Sequence, residues 1–174
     1  QDLAESCRNA VRILDNTIDL TVTPVQESNR HNAIYRTIGV GAMGLADYLA
    51  HNEISYGSPE SVVATDALFE WIAYHTIEAS VSLSKERGAY PKFEGSDWSK
   101  GILFGRDAQW FATESRLKDR WITLIDDMKR SGIRNSQLLA VAPNTSSALV
   151  QGCTASVLPI FNKFFLEKNA KGSV

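Results

Sequence analysis

The stretch Ala140-Val-Ala-Pro143-Asn144-Thr145-Ser146-Ser147-Ala148-Leu-Val-Gln-Gly-Cys153-Thr-Ala-Ser-Val-Leu-Pro159 decides how the rest of the chain is read. A short apolar run, Leu138 to Ala142, stops at Pro143. Proline has no N–H to give a ladder, so a strand over 138–142 must leave its sheet there. Asn144, Thr145, Ser146 and Ser147 follow, small polar residues of the kind that cap helices, and Ala148-Leu-Val150 opens the next apolar run. The spacing predicts strand, turn and helix start. A helix start carries unsatisfied N–H groups and the positive end of the macrodipole, so amides and hydroxyls can hold an anion such as a phosphate there without a lysine. The same pattern also fits a well-capped helix that binds nothing, and spacing alone leaves both readings open.

Composition narrows the rest. At 174 residues, 44% hydrophobic and 22% charged, the chain can bury a sizeable core as one domain or as a piece of a larger one. A net charge of −2 with no basic stripe argues against a general nucleic-acid or membrane-surface binder, and no apolar run reaches the roughly 18 to 20 residues of a bilayer span. Cys7 and Cys153 lie far apart with no CxxC pair, unlike a disulfide framework or a zinc site, which points to an intracellular, cytoplasmic chain. No signal-peptide pattern opens it, and the start at Gln1 suggests that something upstream has been removed or was never included.

Upstream of the opening stretch the pattern is helical. Leu3 to Leu20 carries apolar residues at Ala10, Ile13, Leu14 and Ile18 until Thr21-Val-Thr-Pro24 breaks it. Cys7 falls on this helix as a small, semi-buried residue with no His partner. A polar segment, Gln26 to Asn32, leads into the glycine-dense Gly39-Val-Gly41-Ala-Met-Gly44, which formally matches a GxGxxG dinucleotide fingerprint. That fingerprint needs a βαβ unit and an acidic residue about twenty positions on. Helix, turn and helix follow instead, so these glycines are expected to allow close packing of neighbouring elements. Ser58-Pro-Glu-Ser61 starts the longest helix, Ser61 to Arg87, which Gly88 stops. A stripe of Val63, Ala67, Trp71, Tyr74 and Ile77 is expected to face the core, its Trp71 and Ile77 face packed against the helices of 3–20 and 44–51, with His75 a satisfied helix histidine beside it. Gly88 to Gly105 reads as a loop packed down by Tyr90, Phe93, Trp98 and Phe104, and Ala108 to Arg130 as one further amphipathic segment with Glu114 and Lys118 four apart on its outer face.

Four separated motifs then carry a resemblance. Arg36-Thr-Ile-Gly-Val-Gly-Ala-Met-Gly-Leu-Ala-Asp-Tyr-Leu49, Glu86-Arg-Gly-Ala-Tyr-Pro91, Gly132-Ile-Arg-Asn-Ser136 and Ala142-Pro-Asn-Thr-Ser-Ser147 resemble, in order and spacing, the large catalytic subunit of ribonucleotide reductases. The likeness extends over essentially all of 1–174. It implies an α/β fold, a mostly helical segment of a ten-stranded α/β barrel from the C-terminal side of that barrel. It also implies a parent enzyme that reduces the ribose 2′-carbon of a nucleoside di- or triphosphate by radical chemistry.

Within the region 138–160, the resemblance places the substrate phosphates on Pro143, Asn144, Thr145, Ser146 and Ser147. Pro143 would shape the loop, Ser146 and Ser147 would supply hydroxyls and N–H groups, and Asn144 and Thr145 backbone donors. The family's thiyl-forming cysteine, in an Asn-x-Cys-x-Glu segment, and its redox cysteine pair have no counterpart here, so no catalytic residue is assigned. Neither Cys7 nor Cys153 matches them. The segment is expected to need no cofactor of its own. The radical generator, a metal-bearing small subunit or adenosylcobalamin, would lie outside it. The expected partners are the remainder of the large subunit, a radical-generating small subunit and the nucleotide substrate, with no nucleic acid and no membrane. Alone, the chain is expected to be inactive, either an excised piece or one product of a split gene. The competing reading is a stand-alone helical binding module that has kept the scaffold and lost the reaction.

Overall fold

Helix α1 (Leu3–Leu20) begins where Asp2 can cap it, its carboxylate accepting the N–H of Ala4 at 3.1 Å. The computed structural model describes residues 2–162 and the short strands β1 (Lys168–Asn169) and β2 (Gly172–Ser173), which pair antiparallel. The chain divides into two compact units, Gln1–Gly41 with Thr65–Ala140, and Ala42–Ala64 with Val141–Val174.

In the first unit, α1 buries Ala4, Cys7, Val11 and Asp15, and Ala10, Leu14 and Ile18 of the expected stripe pack half-buried beside them, while Ile13 falls outside at 63% exposed. Asp15 lies on this buried face, where three arginines reach it. Arg36 Nε donates to its Oδ1 at 2.9 Å, Arg87 Nη1 to its Oδ2 at 3.0 Å and Arg134 Nε to its Oδ2 at 3.4 Å, while Asn135 Nδ2 donates to Oδ1 at 3.1 Å. Burial alone would raise the Asp15 carboxyl. The hydrogen bond and charge of Arg36, with Arg134 and Asn135, outweigh it and hold the group below the usual carboxylate range. Arg36 is also paired bidentately with Asp19, at 2.7 and 2.9 Å.

The polar segment after α1 forms a helix that its sequence did not announce, α2 (Gln26–Tyr35), with no buried residue and therefore no apolar stripe to read. The long helix α4 (Pro59–Arg87) is where it was expected, but its burial differs. Every residue from Ile72 to Ile77 is buried, so its middle is enclosed on all sides, while Val63 of the expected stripe is exposed. Arg12 of α1 grips Glu86 of α4 with two hydrogen bonds, at 2.6 and 3.0 Å. Past Gly88 the loop is fastened by its rings as expected: Tyr90 and Phe93 are buried edge to face, and Trp98, on the short helix α5 (Asp97–Lys100), donates Nε1–H to the Ser136 carbonyl at 2.9 Å. Phe104 departs from this and stays exposed.

The single amphipathic segment expected over Ala108 to Arg130 is two helices, α6 (Ala108–Glu114) and α7 (Lys118–Ser131), which puts Glu114 and Lys118 on different helices. The break has a distant cause. The Glu70 carboxylate of α4 accepts the N–H groups of Arg116 and Leu117, at 3.1 and 3.3 Å, and the Trp121 indole N–H at 3.0 Å, so it satisfies the start of α7 from outside.

The strand expected over Leu138 to Ala142 is reduced to one parallel bridge, Val40 to Leu139. Val40 N–H donates to Leu138 O at 2.7 Å and Ala140 N–H to Val40 O at 3.0 Å. A parallel pairing joined through a helical crossover is α/β connectivity. Its closeness depends on glycine: a Cβ at Gly41 would collide with the Ala140 carbonyl oxygen, and one at Gly39 would lie 2.8 Å from the Ala140 Cβ. The expectation that these glycines serve packing is met. Among the described residues the chain is mostly helical.

Candidate functional site

The second unit holds the Pro143–Ser147 loop, and α8 (Thr145–Gln151) starts inside it with Asn144 at the N-cap position. Asn144 does not cap. Its side-chain oxygen accepts the N–H of Ser156 at 2.8 Å, and Ser156 is buried at φ +50°. The N–H of Asn144 donates to Ala142 O and that of Thr145 to Pro143 O, each at 3.0 Å, so both amides are already used inside the loop. The two amides expected as backbone donors to an anion thus face the loop's own carbonyls in this structure. The N–H groups of Ser146 and Ser147 meet no acceptor among the described residues, and Pro143, Thr145, Ser146 and Ser147 are all exposed. Residues 141–162 contain no lysine or arginine, so an anion at this loop meets amide and hydroxyl dipoles from its own segment.

The far end of α8 is closed more tightly than its start. Gly152 adopts φ +68°, its N–H donates to Leu149 O at 3.3 Å, and Cys153 N–H donates to Ala148 O at 3.1 Å, the pair of bonds of a Schellman ending. Thr154 is then held on both backbone groups: its N–H donates to Asp47 Oδ2 at 2.7 Å and its carbonyl accepts Gly44 N–H at 2.8 Å. Gly44, at φ +79°, opens α3 (Leu45–His51), and a Cβ there would sit 3.4 Å from the Cβ of Cys153. The glycine at the sixth place of the formal GxGxxG match thus packs against the return from α8. Tyr56 OH donates to Val157 O at 2.6 Å. A cavity of about 490 Å³ lies beside α8, lined by Thr145, Ala148, Cys153, Thr154, Leu158 and Phe161 among others, and the buried Thr154 hydroxyl has no hydrogen-bond partner among the described residues.

The remaining chemistry-bearing residues are structural in their surroundings. Cys7 is buried in the first unit, and burial pushes its thiol up, away from the thiolate a nucleophile needs. His75 shares a hydrogen bond between Nδ1 and Glu78 Oε2 at 2.9 Å, while its buried Nε2 lacks a partner among the described residues. Among the described residues no group of three or more His, Cys, Asp or Glu stands together as a metal site, and no helix is long and apolar enough to cross a membrane. Sequence reasoning overlooked Asp47 and Ser156. Asp47 looks like an ordinary first-turn acid of α3, and nothing in the local spacing marks Ser156.

The whole chain, residues 1–174, matches the family described as ribonucleotide reductase, barrel domain. It is similar to the ribonucleoside-diphosphate reductase subunit alpha of Synechocystis sp., 51% identical over 175 residues, which cover 100% of this chain and 22% of that protein. The Helicobacter pylori subunit alpha is 41% identical over 170 residues, 94% of this chain and 22% of that protein. The ribonucleoside-diphosphate reductase large subunit of Danio rerio is 33% identical over 172 residues, 99% of this chain and 21% of that protein. The chain spans about a fifth of the length of these relatives.

Proposed function

The chain belongs to the ribonucleotide reductase barrel-domain family, and from that premise we propose that its Pro143–Ser147 loop holds the substrate phosphates in a complete ribonucleotide reductase catalytic subunit. The observation that carries this reading is the unused helix start: Asn144 sits where a cap belongs, turns its side chain to Ser156, and leaves the amides of Ser146 and Ser147 without an acceptor among the described residues. Two amides and the three neighbouring hydroxyls form a cradle for phosphate oxygens, strengthened by the helix dipole. Pro143 contributes shape and no donor. The names of the relatives favour a ribonucleoside diphosphate over a triphosphate.

In the complete subunit this segment binds and orients, as part of the ten-stranded barrel. Radical reduction of the ribose 2′-carbon falls to cysteines elsewhere in the catalytic subunit and to a radical generator, a metal-bearing small subunit or adenosylcobalamin, all outside these residues. The chain alone therefore turns over no nucleotide.

The test is Ser146→Ala with Ser147→Ala in the complete subunit, with CDP binding followed by calorimetry. Each hydroxyl contact to a charged oxygen is worth roughly 1.5 to 3 kcal/mol, so affinity falls while the amides preserve residual binding. Unchanged affinity would return the loop to a plain helix start with no ligand.

A further inference from the structure

The phosphate-loop reading uses neither Gly44 nor Asp47, yet both reach the segment that follows α8. We propose, resting on that reading, that Asp47 is a positioning residue for the phosphate loop: through Thr154 it keeps the Asn144 side chain away from the amides that the substrate uses. The connection is short. Asp47 Oδ2 and Gly44 N–H fix Thr154 on both of its backbone groups, at 2.7 and 2.8 Å. Two residues further on, the N–H of Ser156 holds the Asn144 carboxamide at 2.8 Å. Asp47 itself is carried on α3, whose Leu45, Ala46 and Leu49 are buried, so the anchor has a rigid base.

A two-turn helix such as α8 has little cooperativity of its own, and its ends are set by what they are tied to. Asn is among the strongest N-capping residues, and the bond to Ser156, together with a backbone at φ −84° and ψ 52° in place of the extended conformation of a cap, keeps this one from the adjacent amides. Releasing Thr154 loosens Ser156, and the freed Asn144 then takes its ordinary place over the N–H groups of Ser146 or Ser147. The cap and the phosphate compete for the same donors. Loss of Asp47 thus weakens phosphate binding with little loss of stability, because α8 gains a cap as it loses a tie. An Asp47 whose only task was to steady the fold would show the reverse.

The experiment is Asp47→Ala in the complete subunit, with CDP affinity by calorimetry and the thermal midpoint recorded side by side. The dissociation constant is expected to rise about ten-fold, the order set by one hydrogen bond to a charged group. Asp47→Asn, which keeps an oxygen acceptor for Thr154, is expected to stay within about three-fold of the unmodified subunit. A second variant works without touching Asp47: Asn144→Ser supplies a short hydroxyl cap that does not reach Ser156, and it is expected to weaken CDP binding while leaving the thermal midpoint unchanged or higher. CDP affinity unchanged in both Asp47→Ala and Asn144→Ser, while Ser146→Ala with Ser147→Ala weakens it, overturns the role of Asp47 and leaves the phosphate loop standing. CDP affinity unchanged in the double serine variant removes the loop reading itself.

Discussion

Removing the Asp15 carboxylate should unfasten the first unit. Its side chain is fully buried and accepts hydrogen bonds from Arg36, Arg87, Arg134 and Asn135, so Asp15→Ala leaves the buried Arg36 with Asp19 as its one carboxylate beside the surviving Asp15 carbonyl, and the Asn135 amide without its carboxylate. Breaking a buried ion pair from one side costs about 3 to 5 kcal/mol. With a urea m-value of about 2 kcal/mol/M for a unit of this size, the unfolding midpoint should fall by about 2 M. Tryptophan fluorescence is a suitable assay, since Trp121 is buried in the same unit. Asp15→Asn keeps the shape and one acceptor and should lose about half as much. The effect of pH has a definite sign. The folded carboxyl titrates below its unfolded value, so its contribution is fully present above about pH 4 and is lost as the pH falls through the folded value. The gap between the parent protein and Asp15→Asn should therefore be flat at neutral pH and close in acid. A midpoint shift under about 0.5 M for Asp15→Ala, or a gap that widens in acid, would refute the reasoning.

Three further outcomes follow from the packing. Gly41→Ala forces a Cβ onto the Ala140 carbonyl oxygen and should cost about 1 to 3 kcal/mol in the same urea assay, with loss of amide protection at Ala140 in hydrogen exchange. Glu70→Ala strips the acceptor from two backbone amides at the start of α7 and from the indole of buried Trp121, so about 2 to 4 kcal/mol should be lost and the tryptophan emission should shift. A small thiol reagent at neutral pH should label half-buried Cys153 quickly and Cys7 only on unfolding, since burial both shields the Cys7 thiol and raises its pKa; mass spectrometry of the labelled peptides distinguishes the two.

What was legible in the chain is what local chemistry decides. Thr21-Val-Thr-Pro24 closes α1, and Ser58-Pro59 and Gly88 bracket α4, because caps, prolines and left-handed glycines act on their own neighbours. What misled was decided at a distance. The interruption at Ser115–Leu117 is made by Glu70, and the burial of the charged Asp15 on α1 is sustained by arginines from three other places in the sequence. The strand at 138–142 was overestimated because apolar content says nothing of the partner's length, and the partner here is the short Gly39–Gly41 segment. The loop at Pro143–Ser147 was visible as cap-type residues. That Asn144 would forgo capping was not, because the decision is made by Ser156 beyond the end of the helix.

The Asp15 cluster has a consequence for the order in which the protein matures. Asp15 and Asn135 are 120 residues apart, which at translation rates of 5 to 20 residues per second separates their synthesis by about 6 to 24 s. For that interval α1 exists with a charged group on the face it will later bury and with Val11 uncovered beside it. The nascent helix cannot lock fully: Arg36 and Arg87 are made earlier and can pair the carboxylate, but its remaining hydrogen bonds stay with water until Arg134 and Asn135 arrive to replace it. A chain halted before residue 134 therefore holds α1 as a loosely attached helix with an apolar flank, open to chaperones and proteases, and the arrival of two side chains from the far end of the unit closes that window.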